Sequence, residues 1–421
     1  MAAWSQLAIP PIAKYERHRL LTHLTIEGFK SFGSPGTRVC LEPLSFVVGA
    51  NASGKSNLLL ALKFIRQCFL HGVEVAVNEL DGCREVRNRI LREVKQPKLC
   101  VFSLSAENLP VSYENGSVQR VSEARYELAL DLRADDDHAK IEREELNITM
   151  EGADGESRYR LVRNGLHVTI QDPLAKDVPA ERSFDLYPQD GAQLVAANGF
   201  SGLPAILFRE YVKDWRFFNV APSFARRSAR ESAGSELSES GENLAVVLNE
   251  IAKADKQQMN EICAWLASAV PGFESVRPIK LPVEGSWAFQ VEEKRISGGL
   301  NPQSVSDGTV RLLTLMVVVA WVSRKATLIC IEEPENGVHP HLAESFVDAL
   351  RTVSANRQFL VTTHSPSFLD HLNPEELLLV DKRDGFTEVR RAAEVAEIKM
   401  FSEKFSLGDL WSQGMLEGIP A

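Results

Sequence analysis

Residues 49 to 56 read Gly-Ala-Asn-Ala-Ser-Gly-Lys-Ser. Glycines at Gly49 and Gly54 let the backbone wrap closely around an anion. The successive N–H groups of Ala50, Asn51, Ala52 and Ser53, with the N-terminus of a following helix, would then face it. Lys55 has the reach to neutralise β- and γ-phosphate oxygens, and the Ser56 hydroxyl suits a phosphate-bound Mg²⁺. A strand-like run, Leu44 to Val48, precedes these residues, and a helix-like run, Asn57 to Phe69, follows them. Strand, glycine-rich turn and helix in that order form a complete P-loop, and the cofactors it implies are ATP and Mg²⁺.

A P-loop alone leaves the reaction open, and three later segments narrow it. Leu328-Ile329-Cys330-Ile331-Glu332-Glu333 is an apolar run ending in two adjacent carboxylates. In a P-loop fold the first, Glu332, would stand near Mg²⁺. The second, Glu333, could orient and deprotonate an attacking water. The plainer reading is a buried strand followed by a solvated acidic turn. Val361-Thr362-Thr363-His364-Ser365 ends the next strand-like run. His364 there could hydrogen-bond a γ-phosphate, although a lone histidine is more often structural. Ser304-Val305-Ser306-Asp307-Gly308-Thr309 opens a helix, which makes a second anion-facing turn of Ser306, Asp307 and Gly308. Ser306 also suits an N-cap, and both roles can hold. Two phosphate-facing loops are too many for one nucleotide. A head-to-tail pair of copies, each clamping ATP between its own P-loop and its partner's Ser306 loop, uses both.

The elements that must position these groups are legible in outline. Leu21 to Glu27 and Thr37 to Leu41 read as strands, and residues 57 to 80 as helical. From Lys98 to Gln171 the pattern turns to period two. Runs at Cys100–Ser105, Arg125–Leu132, Leu146–Glu151, Ser157–Val162 and Leu166–Ile170 predict an antiparallel meander with one wet face. Turns are expected at Glu114-Asn115-Gly116, Gly152-Ala153-Asp154-Gly155 and Asn164-Gly165. Pro188 to Gly202 reads as a loop. Apolar residues between Asn243 and Ala269 recur at helical spacing and predict a helical lobe. The last third alternates strands (Leu328–Glu332, Gln358–Thr362, Glu376–Asp381, Phe386–Arg390) with helices (Thr309–Val322, His341–Val353), which argues for a mainly parallel sheet covered by helices.

Bulk composition sets the bounds. A chain of 421 residues with 44% hydrophobic content holds a large core or two to three domains. The formal charge of −10 excludes a protein coated in positive potential, so nucleic-acid contact would need a local basic patch. The six cysteines show no paired or metal-ligand spacing, which fits buried reduced thiols and a cytoplasmic location. No apolar leader is present in the first twenty residues, and the longest apolar stretch, near Leu312 to Val322, is about 11 residues, too short to span a bilayer. No membrane partner is expected.

Taken together, the motifs resemble the ABC-type ATPase heads of the RecF/SMC-like branch. Leu24-Thr25-Ile26-Glu27-Gly28-Phe29-Lys30-Ser31-Phe32 is similar to that branch's entry strand, and the P-loop with Asn57 after Ser56 also matches. Ser306-Asp307-Gly308-Thr309 resembles its signature loop. Glu332-Glu333-Pro334-Glu335-Asn336-Gly337-Val338-His339-Pro340 resembles its Walker B and D-loop segment, and Thr363-His364-Ser365 its switch histidine. Glu332 stands where transporter-type heads carry Asp, a replacement this branch tolerates. The Q-loop glutamine is not assignable from the sequence; Gln189 and Gln193 are weak candidates.

Within the branch the chain is similar to stand-alone bacterial AAA family ATPases, which resemble OLD-type proteins without their TOPRIM nuclease and the ATPase components of anti-phage systems such as PARIS. The resemblance implies an α/β P-loop NTPase of the ABC-ATPase head type, with a mainly parallel sheet core, an antiparallel β-meander and a helical lobe. It places the first part of the head in residues 1–199, the lobe in 200–295 and the second part in 296–421. It implies ATP hydrolysis with Lys55, Glu333 and His364 as catalytic residues and Ser56 and Glu332 at the metal. Residues 49 to 57 of one copy and Ser306, Asp307 and Gly308 of another would enclose the nucleotide. The expected partners are a second copy and a separately encoded effector such as a TOPRIM-like nuclease or a toxin. The alternatives are a RecF-like DNA-maintenance ATPase and an assembly scaffold for which ATP binding alone matters. Two basic stretches could read a trigger: Arg84, Arg87, Arg89, Arg92, Lys95 and Lys98, and then Arg209, Lys213, Arg216, Arg226, Arg227 and Arg230. The second has aromatic neighbours Trp215, Phe217, Phe218 and Phe224. Such mixtures suit nucleic acid, and equally an acidic partner such as a phage protein or a solvated face.

Overall fold

A computed structural model describes residues 20–93, 99–110, 120–132, 138–152, 155–175, 178–282, 285–296 and 298–416. Its centre is a six-stranded sheet in the order Trp215–Phe218, Leu328–Glu332, Gln358–Thr362, Leu44–Val48, Leu377–Arg383, Phe386–Arg391. Neighbours in it run parallel, except the last two, which form an antiparallel hairpin. All five residues of the strand before the P-loop are buried, as a parallel strand covered on both faces requires.

Side chains alternate between two cores, one on each face of this sheet. Val47, Leu328, Cys330, Leu360, Leu378 and Val380 face the core shared with the P-loop helix Lys55–His71 and the meander. Phe46, Val48, Ile329, Ile331, Phe359 and Val361 face the core shared with helices Leu244–Ala254, Lys256–Ala269, Asp307–Ala320 and Ala343–Ser354. Period-two alternation inside unbroken apolar runs is what buries both faces at once.

The expected meander is present and larger than its sequence pattern indicated. It is an eight-stranded antiparallel sheet ordered Thr37–Cys40, Leu20–Glu27, Leu99–Pro110, Arg120–Asp131, Lys140–Gly152, Gly155–Asn164, His167–Gln171, Glu181–Asp185. The entry strand Leu20–Glu27 joins it by pairing with Leu99–Pro110. Its buried face stacks aromatic rings on the P-loop helix: Phe64 lies 5.5 Å from Phe29 and 5.4 Å from Phe102, and Phe69 lies 5.0 Å from Tyr126. The turn expected at Glu114-Asn115-Gly116 lies outside the described residues, as does part of Gly152-Ala153-Asp154-Gly155. The Pro188–Gly202 segment is a loop, and Glu144, fully buried, anchors it by accepting from Val195 N (2.8 Å) and Ala196 N (2.9 Å).

Three sequence expectations change. The helix read as 57 to 80 stops at His71, because Gly72 turns the chain out with φ 87°, and a separate short helix, Val73–Asn78, follows. The stretch 200–295, expected as a helical lobe, holds helices Leu203–Lys213, Leu244–Ala254 and Lys256–Ala269, but also a three-stranded sheet (Ala229–Arg230, Ser286–Glu293, Phe273–Lys280) and the edge strand Trp215–Phe218 of the central sheet. Three of the four aromatics of the basic-aromatic stretch accordingly offer no stacking surface, and Phe224 alone of the four is exposed. Trp215, Phe217 and Phe218 are 0%, 8% and 2% exposed, because a short aromatic strand satisfies core packing as readily as it would a nucleobase. Arg216 lies between Asp214 (3.5 Å) and Glu236 (3.2 Å), and Arg227 sits over the Phe224 ring at 4.4 Å. Of the first basic stretch, Arg87 is buried and Arg89 pairs with Glu85 at 2.9 Å. Lys95 and Lys98 lie outside the described residues, and the Arg92 side chain is likewise not described.

All six cysteines are free, with Cys68, Cys83, Cys100 and Cys330 buried. Among the described residues no helix is long and apolar enough to cross a membrane.

The two sheets are braced by Gln358, 1% exposed. Its Nε2 donates to Leu21 O at 2.9 Å and to Glu42 O at 3.2 Å, and its Oε1 accepts from Leu21 N at 2.9 Å. Gln358→Leu strands these backbone groups in the interior, so chemical denaturation is expected to show a loss of about 2 to 4 kcal/mol. A loss within the error of the measurement would mean that the amide does not join the sheets.

Candidate nucleotide-binding site

The P-loop leaves the central sheet where there is no room for side chains. A Cβ on Gly49 would stand 2.1 Å from Val380 O and 2.7 Å from Ser53 Oγ. A Cβ on Gly54 would stand 2.1 Å from Thr387 Oγ1, and Gly54 has φ 118°, a conformation glycine adopts at little cost. Ala52 also lies in the left-handed region at φ 64°. Asn51, Ala52 and Ser56 are exposed, and Ser53 and Lys55 are buried. No side chain caps the helix that begins at Lys55, so its first N–H groups stay open to an anion.

The residues present fit a triphosphate. Ser53 Oγ is buried without a hydrogen-bond partner. Lys55 Nζ folds back on Gly49 O (2.7 Å) and Ala50 O (2.9 Å). Burial pushes the Lys55 pKa down to about 8, and the nearby Glu333 carboxylate pulls it up only in part. A lysine held buried against carbonyls is short of negative charge, which phosphate would supply.

Sequence reasoning missed what holds this loop open. Thr387, fully buried, places Oγ1 2.7 Å from both Ser53 O and Ser31 Oγ. Asn57 Nδ2 donates to the same Ser31 Oγ at 2.7 Å, and Thr387 N donates to Ser31 O at 2.8 Å. Ser31 belongs to the Phe29-Lys30-Ser31-Phe32 entry, so that segment fastens the P-loop to the last hairpin.

The carboxyl ends of three neighbouring parallel strands bring the remaining groups together. Glu332 pairs in register with Thr362, and Thr362 with Val47. Glu332 is half-buried, and its pKa is raised by burial and then by the adjacent Glu333. Glu333 has φ 43°, which is uncommon for a residue with a side chain. Its N–H donates to Thr362 O at 3.0 Å, and its carbonyl accepts from Arg311 Nη2 at 2.9 Å. The carboxylate lies 3.3 Å from His364 Nε2 and accepts from Asn336 Nδ2 at 2.8 Å. The His364 pKa is lowered by burial and by Lys55, against the opposing pull of Glu333 and Glu335. Lys55, Glu333 and His364 thus share one electrostatic site.

Ser56 and Glu332 offer a hydroxyl and a carboxylate whose raised pKa a cation would reverse. Among the described residues no cluster of three or more His, Cys, Asp or Glu could hold a metal by itself. A Mg²⁺ here would draw on phosphate oxygens for further ligands, as that ion commonly does.

Ser306 caps the helix Asp307–Ala320, its Oγ accepting from Thr309 N at 3.1 Å. Ser306 and Asp307 are exposed. Arg226 shapes the turn by pairing with Asp307 and donating to Pro302 O at 2.9 Å. A Cβ on Gly308 would stand 2.4 Å from Gly337 O, so this helix start packs on the acidic turn. Among the described residues, no hydrogen bond or ion pair joins residues 306–308 to residues 49–57 of the same chain. Gln193 lies against Gly72, at the far end of the P-loop helix, about 25 Å from its phosphate end.

Phosphate turn, paired carboxylates and histidine at the C-terminal edge of a parallel sheet define a P-loop NTPase of the ABC-ATPase head class. Residues 44–370 match the family described as "AAA domain, putative AbiEii toxin, Type IV TA system", and the chain belongs to that family. Its fold is similar to a Smc head bound to the C-winged helix domain of ScpA, with 15% identity and a TM-score of 0.52, covering 88% of this chain and 97% of that one. An SMC head domain from Thermotoga maritima aligns at 13% identity and TM-score 0.40, covering 88% and 98%. A Pyrococcus furiosus Smc head with an extended coiled coil, bound to the C-terminal domain of ScpA, aligns at 14% and 0.46, covering 92% and 100%. No curated protein matches this chain.

The depressed Lys55 pKa has a consequence for nucleotide affinity. In the free protein Lys55 loses its proton as pH rises through about 8. Nucleotide favours the charged form, so affinity for an ATP analogue should fall above that pH and binding should take up protons there. Calorimetry in buffers of different ionisation enthalpy between about pH 7 and about pH 9.5 checks this. A flat affinity with no proton uptake across that range would contradict it.

Proposed function

We propose that the protein hydrolyses ATP at composite sites formed when two copies engage head to tail, and that this cycle switches a separate effector. The observation that carries the reading is the convergence of Glu333 on His364, at 3.3 Å, beside the strand that feeds the P-loop. Glu333 is the general base for the attacking water. His364, kept largely neutral by burial and Lys55, donates to or steadies the γ-phosphate oxygens. The N–H groups of residues 50 to 56, with Lys55 and the Ser53 hydroxyl, bind the phosphates, and Asn57 secures the loop through Ser31. Ser56 and Glu332 would hold Mg²⁺, whose chemistry is to neutralise charge on the β- and γ-phosphate oxygens. Preorganised charge supplies most of the catalysis in such transfers.

The exposed Ser306 and Asp307, joined to their own P-loop by no hydrogen bond or ion pair among the described residues, support their use in trans with Gly308. ATP between the heads favours engagement, and loss of the γ-phosphate favours separation. The family description, which names a toxin of a toxin–antitoxin system, supports a role in which this ATPase restrains or releases a toxin- or nuclease-like effector, in anti-phage defence. Purification from its native host with and without ATP should recover such a neighbouring gene product in a nucleotide-dependent manner. Recovery of DNA-repair proteins instead would favour the RecF-like alternative.

Two measurements test the enzyme itself. Glu333→Gln should bind ATP, lower kcat by about a hundredfold or more and shift the protein to a dimer in light scattering. Turnover unchanged by this substitution would remove Glu333 from the chemistry. Lys55→Ala and Ser306→Arg should each be inactive alone. Their mixture should regain activity, because one of the two mixed sites is intact. A mixture as inactive as its components would place both loops around the same chain's nucleotide.

A further inference from the structure

The eight-stranded sheet ends differently at its two edges. One edge, Thr37–Cys40, is covered by the last hairpin: Thr37 Oγ1 donates to Thr387 O at 2.8 Å, and Arg391 donates to Cys40 O. The other edge is the strand Glu181–Asp185, which among the described residues pairs with His167–Gln171 alone. Asp172 N donates to Ala180 O at 2.7 Å, and Leu186 N donates to Leu166 O at 2.9 Å. In that register the backbones of Arg182 and Phe184 also bond inward. Glu181, Ser183 and Asp185 therefore turn their N–H and C=O groups away from the sheet. All three residues are exposed, and no backbone bond from another described element reaches them. No bulge interrupts the pairing and no proline stands between Glu181 and Tyr187, so two devices that commonly blunt an edge are missing here.

Two properties of this edge determine what adds to it. Glu181, Ser183 and Asp185 project from one face of the strand, and two of the three are acidic. Gln171 lies 3.5 Å from Glu181 and His167 lies 2.8 Å from Asp185, yet the Asp185 side chain stays 79% exposed. A second copy pairing antiparallel about Ser183 would set Glu181 against Asp185, and like charges directly opposite are unfavourable. On the other face Phe184 packs against Phe200 with ring centroids 5.7 Å apart, and Phe200 is 51% exposed. Arg182 fastens this arrangement by donating to Phe200 O at 2.9 Å. Tyr187 and Val178, beyond the two ends of the strand, are 72% and 52% exposed. Keeping a second copy away accounts for the acids. It does not account for apolar side chains left in water along the same edge. We propose that this edge takes up an extended segment of a different protein, which adds to the sheet as a further strand. Its main chain bonds to Glu181, Ser183 and Asp185, its basic side chains stand opposite Glu181 and Asp185, and its apolar side chains pack on Phe200.

The experiment is fluorescence anisotropy of a short labelled peptide that alternates lysine with valine, added to the full chain, with amide hydrogen exchange read at Glu181, Ser183 and Asp185. The peptide should bind and protect those three amides. A peptide of the same charge with proline in place of valine cannot form a ladder, and it should bind at least about tenfold more weakly. Ser183→Pro removes an outward N–H, leaves the inward pairing intact and should weaken binding to a similar extent. Glu181→Lys combined with Asp185→Lys should turn the preference to a peptide that alternates glutamate with valine. Thermal melts check that each variant folds, and if Ser183→Pro does not, the charge-reversed variant decides. Equal binding of the proline peptide would reduce the effect to charge alone and overturn the proposal, as would a failure of the valine peptide to bind. Amides already protected in the free chain would overturn it too, because a second copy or a segment of the chain itself would then cover the edge. None of these residues belongs to the nucleotide site, so failure here would leave the proposed function standing.

Discussion

The site depends on how closely the P-loop backbone is pressed against the last hairpin of the chain. Gly49 and Gly54 have no space for a Cβ beside Val380 and Thr387. The Thr387 hydroxyl reaches the Ser53 carbonyl and Ser31, and Asn57 completes the link. Phosphate recognition needs backbone N–H groups pointing inward from a turn that cannot collapse. A buried threonine and a serine from opposite ends of the chain keep it in that shape. The Asp384-Gly385 turn, with φ 51° and 83°, closes the hairpin that carries Thr387.

Around that fixed point the parallel strands act as rulers. Their register places Val47, Thr362 and Glu332 side by side, so whatever follows each strand emerges on one edge of the sheet. The P-loop turn follows one, paired carboxylates another and a histidine the third. Lys55 is pushed below its ordinary range by burial, Glu332 is pushed above its own by burial and Glu333, and His364 is held down by burial and Lys55. Each shift runs in the direction that bound phosphate or a cation would reverse. Ligand charge of either kind at this edge would act on these groups against the burial that shifts them.

The meander and the helical face have different duties. Rings from the meander clamp the P-loop helix along its buried side, which fixes the direction of its N-terminus. On the other face, the helix capped by Ser306 is tied to the acidic turn by Arg311 and by the contact of Gly308 with Gly337. One core therefore orients the element proposed to bind phosphate. The other orients the element proposed to meet a second copy, and the central sheet lies between them.

The sequence by itself determined the local events. Glycine spacing marks the P-loop, apolar runs ending in Glu332 and Thr363 mark two strands of the sheet, period-two alternation marks the meander, and Ser306 marks a helix start. Each of these is a short-range pattern, because backbone sterics, capping and strand alternation act over a few residues. Tertiary structure decided the rest. Trp215, Phe217 and Phe218 read equally as a surface or a core strand until the strand pairs with Leu328–Glu332 and sends Trp215 and Phe217 into one core and Phe218 into the other. Thr387 gains its role only by meeting Ser53, 334 residues away in sequence, and Gln358 gains its role by meeting Leu21, 337 residues away. Arg311 looks like an ordinary surface charge of a helix until packing buries it. Burial and long-range hydrogen bonding depend on which elements come to lie against one another, and no periodicity within a single segment records that.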